Sequence, residues 1–297
     1  MRLVCAAVVL VAALAASACG QIVAPSPTTS GGRAIETTPT AQTAPPITSP
    51  PATSPASPAV TPTAPATASP GQFTGRTVPI LMYHKVDPTP GSEGEFSITP
   101  HRFEQEMDWL ADNGFHAVTL HQVWLYWQGQ WALPANPIVI SFDDGFPGQV
   151  TYAAPILKEL GWPAVLNVVV AYIGEHGILT PEDIRTLIGD GWEIDSHTRT
   201  HPILTQVSAS RLWHEVNDSR TALQHMFNIP VDFFCYPGGA WNAQVVAAVK
   251  QAGYLGATGV QQGPADPSDM YVLDRIHVYG TNVLSTFVRN FEYYMAH

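Results

Sequence analysis

A parallel α/β fold, curled into a distorted (β/α) barrel of about seven strands, is predicted by three features of the chain beyond residue 75. Apolar runs alternate with helical patterns from Val78 to Met295, and regular strand–helix alternation implies a parallel sheet with crossover helices. The runs 138–142 and 164–170 carry little polar alternation, as expected of strands covered on both faces. Seven or eight such units over about 220 residues suit a barrel better than an open sheet, which remains the alternative.

Each element has its own local signal. Residues 78–83 read as a first strand, and 100–113 as a helix capped by Thr99, with Phe103, Met107 and Leu110 on one face and Gly114 ending it. A short strand at 116–120 leads to a helix that Thr119 can cap and that runs to Gly129. Strand 138–142, helix 150–160 and strand 164–170 follow. Thr180 opens a short helix at 181–188, before strand 192–196 and a long amphipathic helix at 208–227. Segments 232–236, 256–260 and 271–278 read as later strands, with helices at 243–252 and 282–295. No internal repeat is visible.

The chain has 297 residues and a net charge of −11. Residues 1–20 run from Arg2 through an Ala/Val/Leu stretch to small residues before Cys19, the order of a secretory signal. The apolar run is short for a membrane span. Ala16-Ser17-Ala18-Cys19-Gly20 also resembles a bacterial lipobox, so lipidation of Cys19 is expected, with simple cleavage and release as the alternative. Residues 21–74 are mostly Pro, Thr, Ser and Ala, holding 12 of the 27 prolines. Such a composition buries too little surface to offset its ordering entropy, and predicts a disordered tether. The folded domain is expected at 75–297. Setting aside Arg2, Arg33 and Glu36 leaves it 11 basic and 23 acidic residues, a poor match for nucleic acid or anionic lipid. Membrane association is expected only through Cys19, at the cell surface or after secretion, and the domain is expected to be a monomer. Cys235 is its single cysteine, so no internal disulfide is available.

Three constellations fall at carboxyl ends of predicted strands, where such folds build their sites. In Ser141-Phe142-Asp143-Asp144-Gly145, two acids close an apolar strand, which is costly unless a cation or a proton compensates them. The plainer reading is a polar turn. His197 and His201, in His197-Thr198-Arg199-Thr200-His201, are four apart and can point both imidazoles at one ion. With one Asp they make a three-ligand set with an open position for water. In Cys235-Tyr236-Pro237-Gly238-Gly239, the glycines let backbone approach a ligand closely, although a simple turn explains them as well.

In this order the three resemble the motifs of the polysaccharide deacetylase family (carbohydrate esterase family 4). The first has the form [ST]-F-D-D-G, matched by Ser141 to Gly145, and the second H-[ST]-x-x-H, matched by His197 to His201. The third usually reads R-x-P-[FY]-G and is only partly kept at 235–239. The resemblance spans about residues 78–278. It implies one divalent metal, usually zinc but with cobalt or nickel as alternatives, on Asp144, His197 and His201. Asp143 would be the general base that activates water, and a backbone N–H near Gly238 would hold the oxyanion, with Tyr236 and Pro237 beside it. The substrate would be an acetylated polysaccharide, deacetylated outside the cytoplasm.

The late histidine motif of most members has only a loose match at Leu273 to His277. The segment Leu81 to Val86 instead looks like the first strand of the biofilm poly-N-acetylglucosamine deacetylase branch, which makes His84 the expected general acid and His277 the second candidate. The family's arginine is replaced by Cys235, and Arg275, in an otherwise apolar strand, could orient the base instead. Trp241 could stack on a sugar, whereas Trp124, Trp127 and Trp131 read as helix packing. O-deacetylation, as of acetylxylan, and a sugar-binding protein that has lost catalysis stay open as alternatives. A two-His-one-carboxylate iron oxygenase fits poorly, since it leaves Asp143 without a role.

Overall fold

The computed structural model describes residues 72–89 and 94–296. The secretory segment 1–20, Cys19 and nearly all of the 21–74 tether lie outside them. Gln72 and Phe73, at the end of that tether, are joined to the domain: Gln72 bridges Pro134, and the Phe73 N–H donates to the Leu133 carbonyl at 3.1 Å.

Parallel strands β1 (Ile80–Tyr83), β5 (Pro137–Asp144), β6 (Val165–Val168), β7 (Glu193–Ser196), β8 (Phe233–Cys235) and β9 (Gly256–Thr258) lie side by side in that order. β10 (Ile276–His277) pairs with the outer edge of β1, and β4 (His116–Ala117) adds to the start of β5. This is the curled parallel sheet the alternation predicts. The segment 271–278 departs from expectation. Only Ile276–His277 is a strand on β1, while Leu273 bridges Thr258 of β9. The run therefore steps from one edge of the sheet to the other, and the polar pair Asp274-Arg275 sits at the step. A further ribbon, β2 (Lys85–Val86) with β3 (Ser97–Ile98), is too short to leave a periodic signal in the sequence.

The helices form where caps and apolar stripes coincide. Helix α1 (Pro100–Asp112) is opened by Thr99, whose hydroxyl accepts from the Arg102 N–H, and it buries Phe103, Met107 and Leu110. Burying each such side chain is worth roughly 1.5–3 kcal/mol. Helix α2 (Leu120–Trp127) starts in a reciprocal capping box between Thr119 and Gln122. Two predicted helices contain wider turns: Gln149–Ala153 precedes α3 (Ala154–Glu159), and His214–Asp218 separates α5 (Ala209–Trp213) from α6 (Ser219–Phe227). Such turns cluster at functional sites, and both carry side chains that reach the site below. α4 (Pro181–Gly189), α7 (Ala243–Gln251) and α8 (Leu284–Ala296) complete the cover.

α1 also buries a charge-bearing group. Tyr83 donates to Glu106 Oε2 at 2.8 Å, while Glu106 Oε1 has no partner. Burial pushes the Glu106 carboxyl up to about 8, against the opposing effects of Tyr83 and Arg102. A pKa raised above its unfolded value of 4.5 means stability that is complete below 4.5 and lost as pH rises toward 8. Glu106→Gln removes the titration. The variant is expected to match the wild type at pH 5 and to exceed it by about 1–3 kcal/mol at pH 9, in urea unfolding at both values.

Candidate active site

The carboxyl ends of the strands open into a cavity of about 700 Å³ lined by His84, Asp143, Asp144, His197, His201, Tyr236, Gly238, Arg275 and His277, among others. His84 directly follows β1, the two acids end β5, His197 directly follows β7, and Tyr236 to Gly238 follow β8. Pro237 is buried behind the lining, and Trp241 is 39 % exposed and outside it. Trp131 is exposed, whereas the Trp127 indole N–H donates to the Arg76 carbonyl at 2.8 Å, a packing role.

Asp143 is buried and held from several sides. Arg275 grips it with two parallel bonds, Nη1 to Oδ1 at 2.8 Å and Nη2 to Oδ2 at 2.9 Å. Asn167 of β6 donates to Oδ1 at 2.7 Å. Burial alone would raise this carboxyl; Arg275, His197 and His84 overcome it and hold the group well below the usual carboxylate range. The Arg275 guanidinium is itself enclosed, donating from Nε to the Gly259 carbonyl at 2.8 Å and from Nη2 to Cys235 Sγ at 3.3 Å. The cysteine in the third motif thus stands against an arginine that arrives from the residue just before β10. His84 Nε2 lies 4.0 Å from Asp143 Oδ2. Burial lowers the His84 pKa, with Asp143 opposing. His277, at a ring separation of 6.0 Å from His84, is pushed down to about 4, by burial first and by the neighbouring His84 second.

Asp144, His197 and His201 converge on one point. Asp144 Oδ1 lies 3.7 Å from His197 Nε2 and 3.6 Å from His201 Nε2, and the two Nε2 atoms are 3.1 Å apart. His197 Nδ1 sits 2.8 Å from the Cys235 carbonyl and donates to it, so that in the neutral ring the Nε2 lone pair faces the cavity. Burial lowers the His197 pKa, but Cys235 and the two acids overcome it and push it up to about 10. Burial pushes Asp144 up, only partly opposed by the imidazoles, and also pushes His201 toward its neutral form. With Asp144 ionised and both imidazoles neutral, three acceptors would face each other, a conflict that a divalent cation among them removes. The donor set, two imidazoles and one carboxylate with an open side, fits a catalytic metal centre.

The backbone here is strained. Of five non-glycine residues with positive φ among those described, Asp144 (73°), Thr198 (70°) and His201 (59°) belong to this site. A β-branched residue at such an angle costs on the order of 1–3 kcal/mol and persists only when its surroundings fix it. Thr198 Oγ1 accepts from the His201 N–H at 2.8 Å, and Glu215, from the wide turn after α5, accepts from the Thr200 N–H at 2.8 Å and hydroxyl at 2.5 Å. In the third motif, Gly238 and Gly239 both lie in the left-handed region, and a Cβ on Gly239 would meet Val260 at 2.1 Å. Asn167 and Glu215 escaped the sequence reading. Asn167 had a signal, being the one polar residue of an apolar strand; Glu215 had none beyond its place on a helix.

Residues 132–257 match the family model described as polysaccharide deacetylase. Over 202 residues the chain is 29% identical to "Putative polysaccharide deacetylase YxkH" of Bacillus subtilis (strain 168), a match covering 68% of this chain and 71% of that one. Over 196 residues it is 24% identical to the poly-beta-1,6-N-acetyl-D-glucosamine N-deacetylase of Staphylococcus aureus (strain MRSA252), covering 61% of this chain and 67% of that one. Among solved structures, Streptococcus pyogenes deacetylase PplD in complex with acetate shares the fold with a TM-score of 0.68 and 24% identity, over 72% of this chain and 97% of that one. With the first two motifs intact inside the matched segment and the parallel sheet around them, residues 132–257 are a polysaccharide deacetylase domain, and these similarities support a hydrolase.

Proposed function

We propose that the protein removes N-acetyl groups from an N-acetylglucosamine-containing polysaccharide outside the cytoplasm. The observation that carries this reading is the Arg275-held Asp143 lying between His84 and the Asp144–His197–His201 donor set in one cavity. The similarity to a poly-N-acetylglucosamine N-deacetylase supports the substrate class. Asp144, His197 and His201 would hold a divalent cation, zinc before cobalt or nickel, which when bound polarises the acetyl carbonyl and acidifies water. Asp143, kept ionised and aimed by Arg275, accepts the proton of the attacking water. A backbone N–H near Gly238, which lines the cavity, would hold the developing oxyanion. His84 gives a proton to the departing nitrogen, a step an amide needs more than an ester does. The secretory-type segment 1–20 and Cys19 support action at the cell surface.

The test is acetate release from N-acetylglucosamine oligomers by the full chain, metal-free and then with zinc, beside an Asp144→Ala control. Zinc-dependent acetate that vanishes in the control is the expected result. Release from acetylated xylan alone would make the protein an O-esterase, and no release from any acetylated polymer would leave a sugar-binding protein. On the amide substrate, His84→Ala is expected to lower kcat about 10²–10⁴-fold and His277→Ala much less; the reverse order would move the acid to His277.

A further inference from the structure

We infer that Gln149 is a positioning residue that sets the proposed acid, base and metal ligand in one frame; the inference rests on the roles given above to His84, Asp143 and Asp144. Gln149 opens the wide turn before α3 and is completely buried. Its Nε2 donates both hydrogens to backbone carbonyls, that of His84 at 2.8 Å and that of Asp143 at 2.9 Å. β1 and β5 are paired in register up to Tyr83 and Phe142, one residue before each of these carbonyls. Beyond that level β5 cannot continue straight, because Asp144 takes a φ of 73° and the Gly145 N–H folds back onto the Asp143 carbonyl at 3.0 Å. The Gln149 amide takes over where backbone pairing between the two strands ends.

The carbonyl of Asp143 belongs to the peptide that joins Asp143 to Asp144. Fixing its plane fixes the direction from which both side chains leave the backbone, one toward Arg275 and one toward the two histidines. The carbonyl of His84 is held by the same nitrogen. The separation of acid and base is therefore set by a single planar group rather than by two loops. The backbone that carries the side chain is itself held: the Gln149 main-chain N–H donates to the Phe146 carbonyl at 3.0 Å. Gly148 beside it lies so close to β2 that a Cβ would fall 1.7 Å from the Val86 carbonyl oxygen.

A hydrogen bond that merely satisfies two buried carbonyls would affect stability alone. Gln149→Met keeps the shape and removes both donors. It is expected to fold by circular dichroism, to lower kcat about 10²-fold with little change in KM, and to weaken zinc binding about 10-fold in a chelator competition. Gln149→Glu, buried beside two carbonyls and hence protonated, keeps one donor; its kcat and zinc affinity are expected between those of wild type and Met. Should Met lower only the melting temperature, or should Met fail to fold and Glu equal the wild type in kcat and zinc affinity, Gln149 is a structural hydrogen bond and the inference is wrong. If the wild type releases no acetate, the deacetylase reading fails, whereas undiminished zinc affinity in Gln149→Met would separately refute the positioning of Asp144.

Discussion

An Arg275→Met variant is expected to lose about 3–5 kcal/mol of unfolding free energy, because it leaves the Asp143 carboxylate buried without its ion partner. Arg275 is 1 % exposed and makes both of its short carboxylate bonds to this one residue. The pH dependence should change with it. In the wild type the Asp143 pKa is depressed below its unfolded 3.8, so the pair contributes stability above pH 3.8 that is lost on further acidification. Without Arg275, burial is less opposed, and the variant should lose less than the wild type between pH 4 and pH 2. Urea unfolding across that range reads both effects, and unchanged stability at pH 7 would show that the pair is not formed in solution.

Asp143→Asn is expected to lower kcat for acetate release by about 10³-fold, within the range by which positioned proton transfer accelerates a reaction. The amide keeps the size of the carboxylate but cannot accept a proton. Zinc affinity should stay near the wild-type value, since Asp144, His197 and His201 are unaltered. A stability loss accompanies it, because Arg275 now faces a neutral group. The double variant Asp143→Asn with Arg275→Met should regain part of that stability and none of the activity. A double variant no more stable than either single one would refute the account of Asp143 and Arg275 as one compensated pair.

Much of this was legible because the relevant residues are neighbours in the chain. Asp143 with Asp144, and His197 with His201, are separated by so few residues that strand and loop geometry alone bring them together. The helix starts were legible for the same reason: Thr99, Thr119 and Thr180 each cap a turn three residues away. Arg275 was inferred from a gap, the missing cation of the third motif, and it lies 132 residues from the carboxylate it meets. Gln149, Asn167 and Glu215 act on backbone or side chains that local patterns do not connect to them. The same limit explains the 271–278 segment, where apolar content suggested one strand and the closing step of the sheet required two short pairings.

That 132-residue separation has a consequence for the order in which the molecule comes into being. Asp143 emerges during synthesis long before Arg275. Until Arg275 is made and the strand after it pairs with β1, the carboxylate has no cation to justify its burial. A nascent chain that lacks Arg275 therefore lacks the assembled centre, which forms only when the segment around Arg275 joins the sheet.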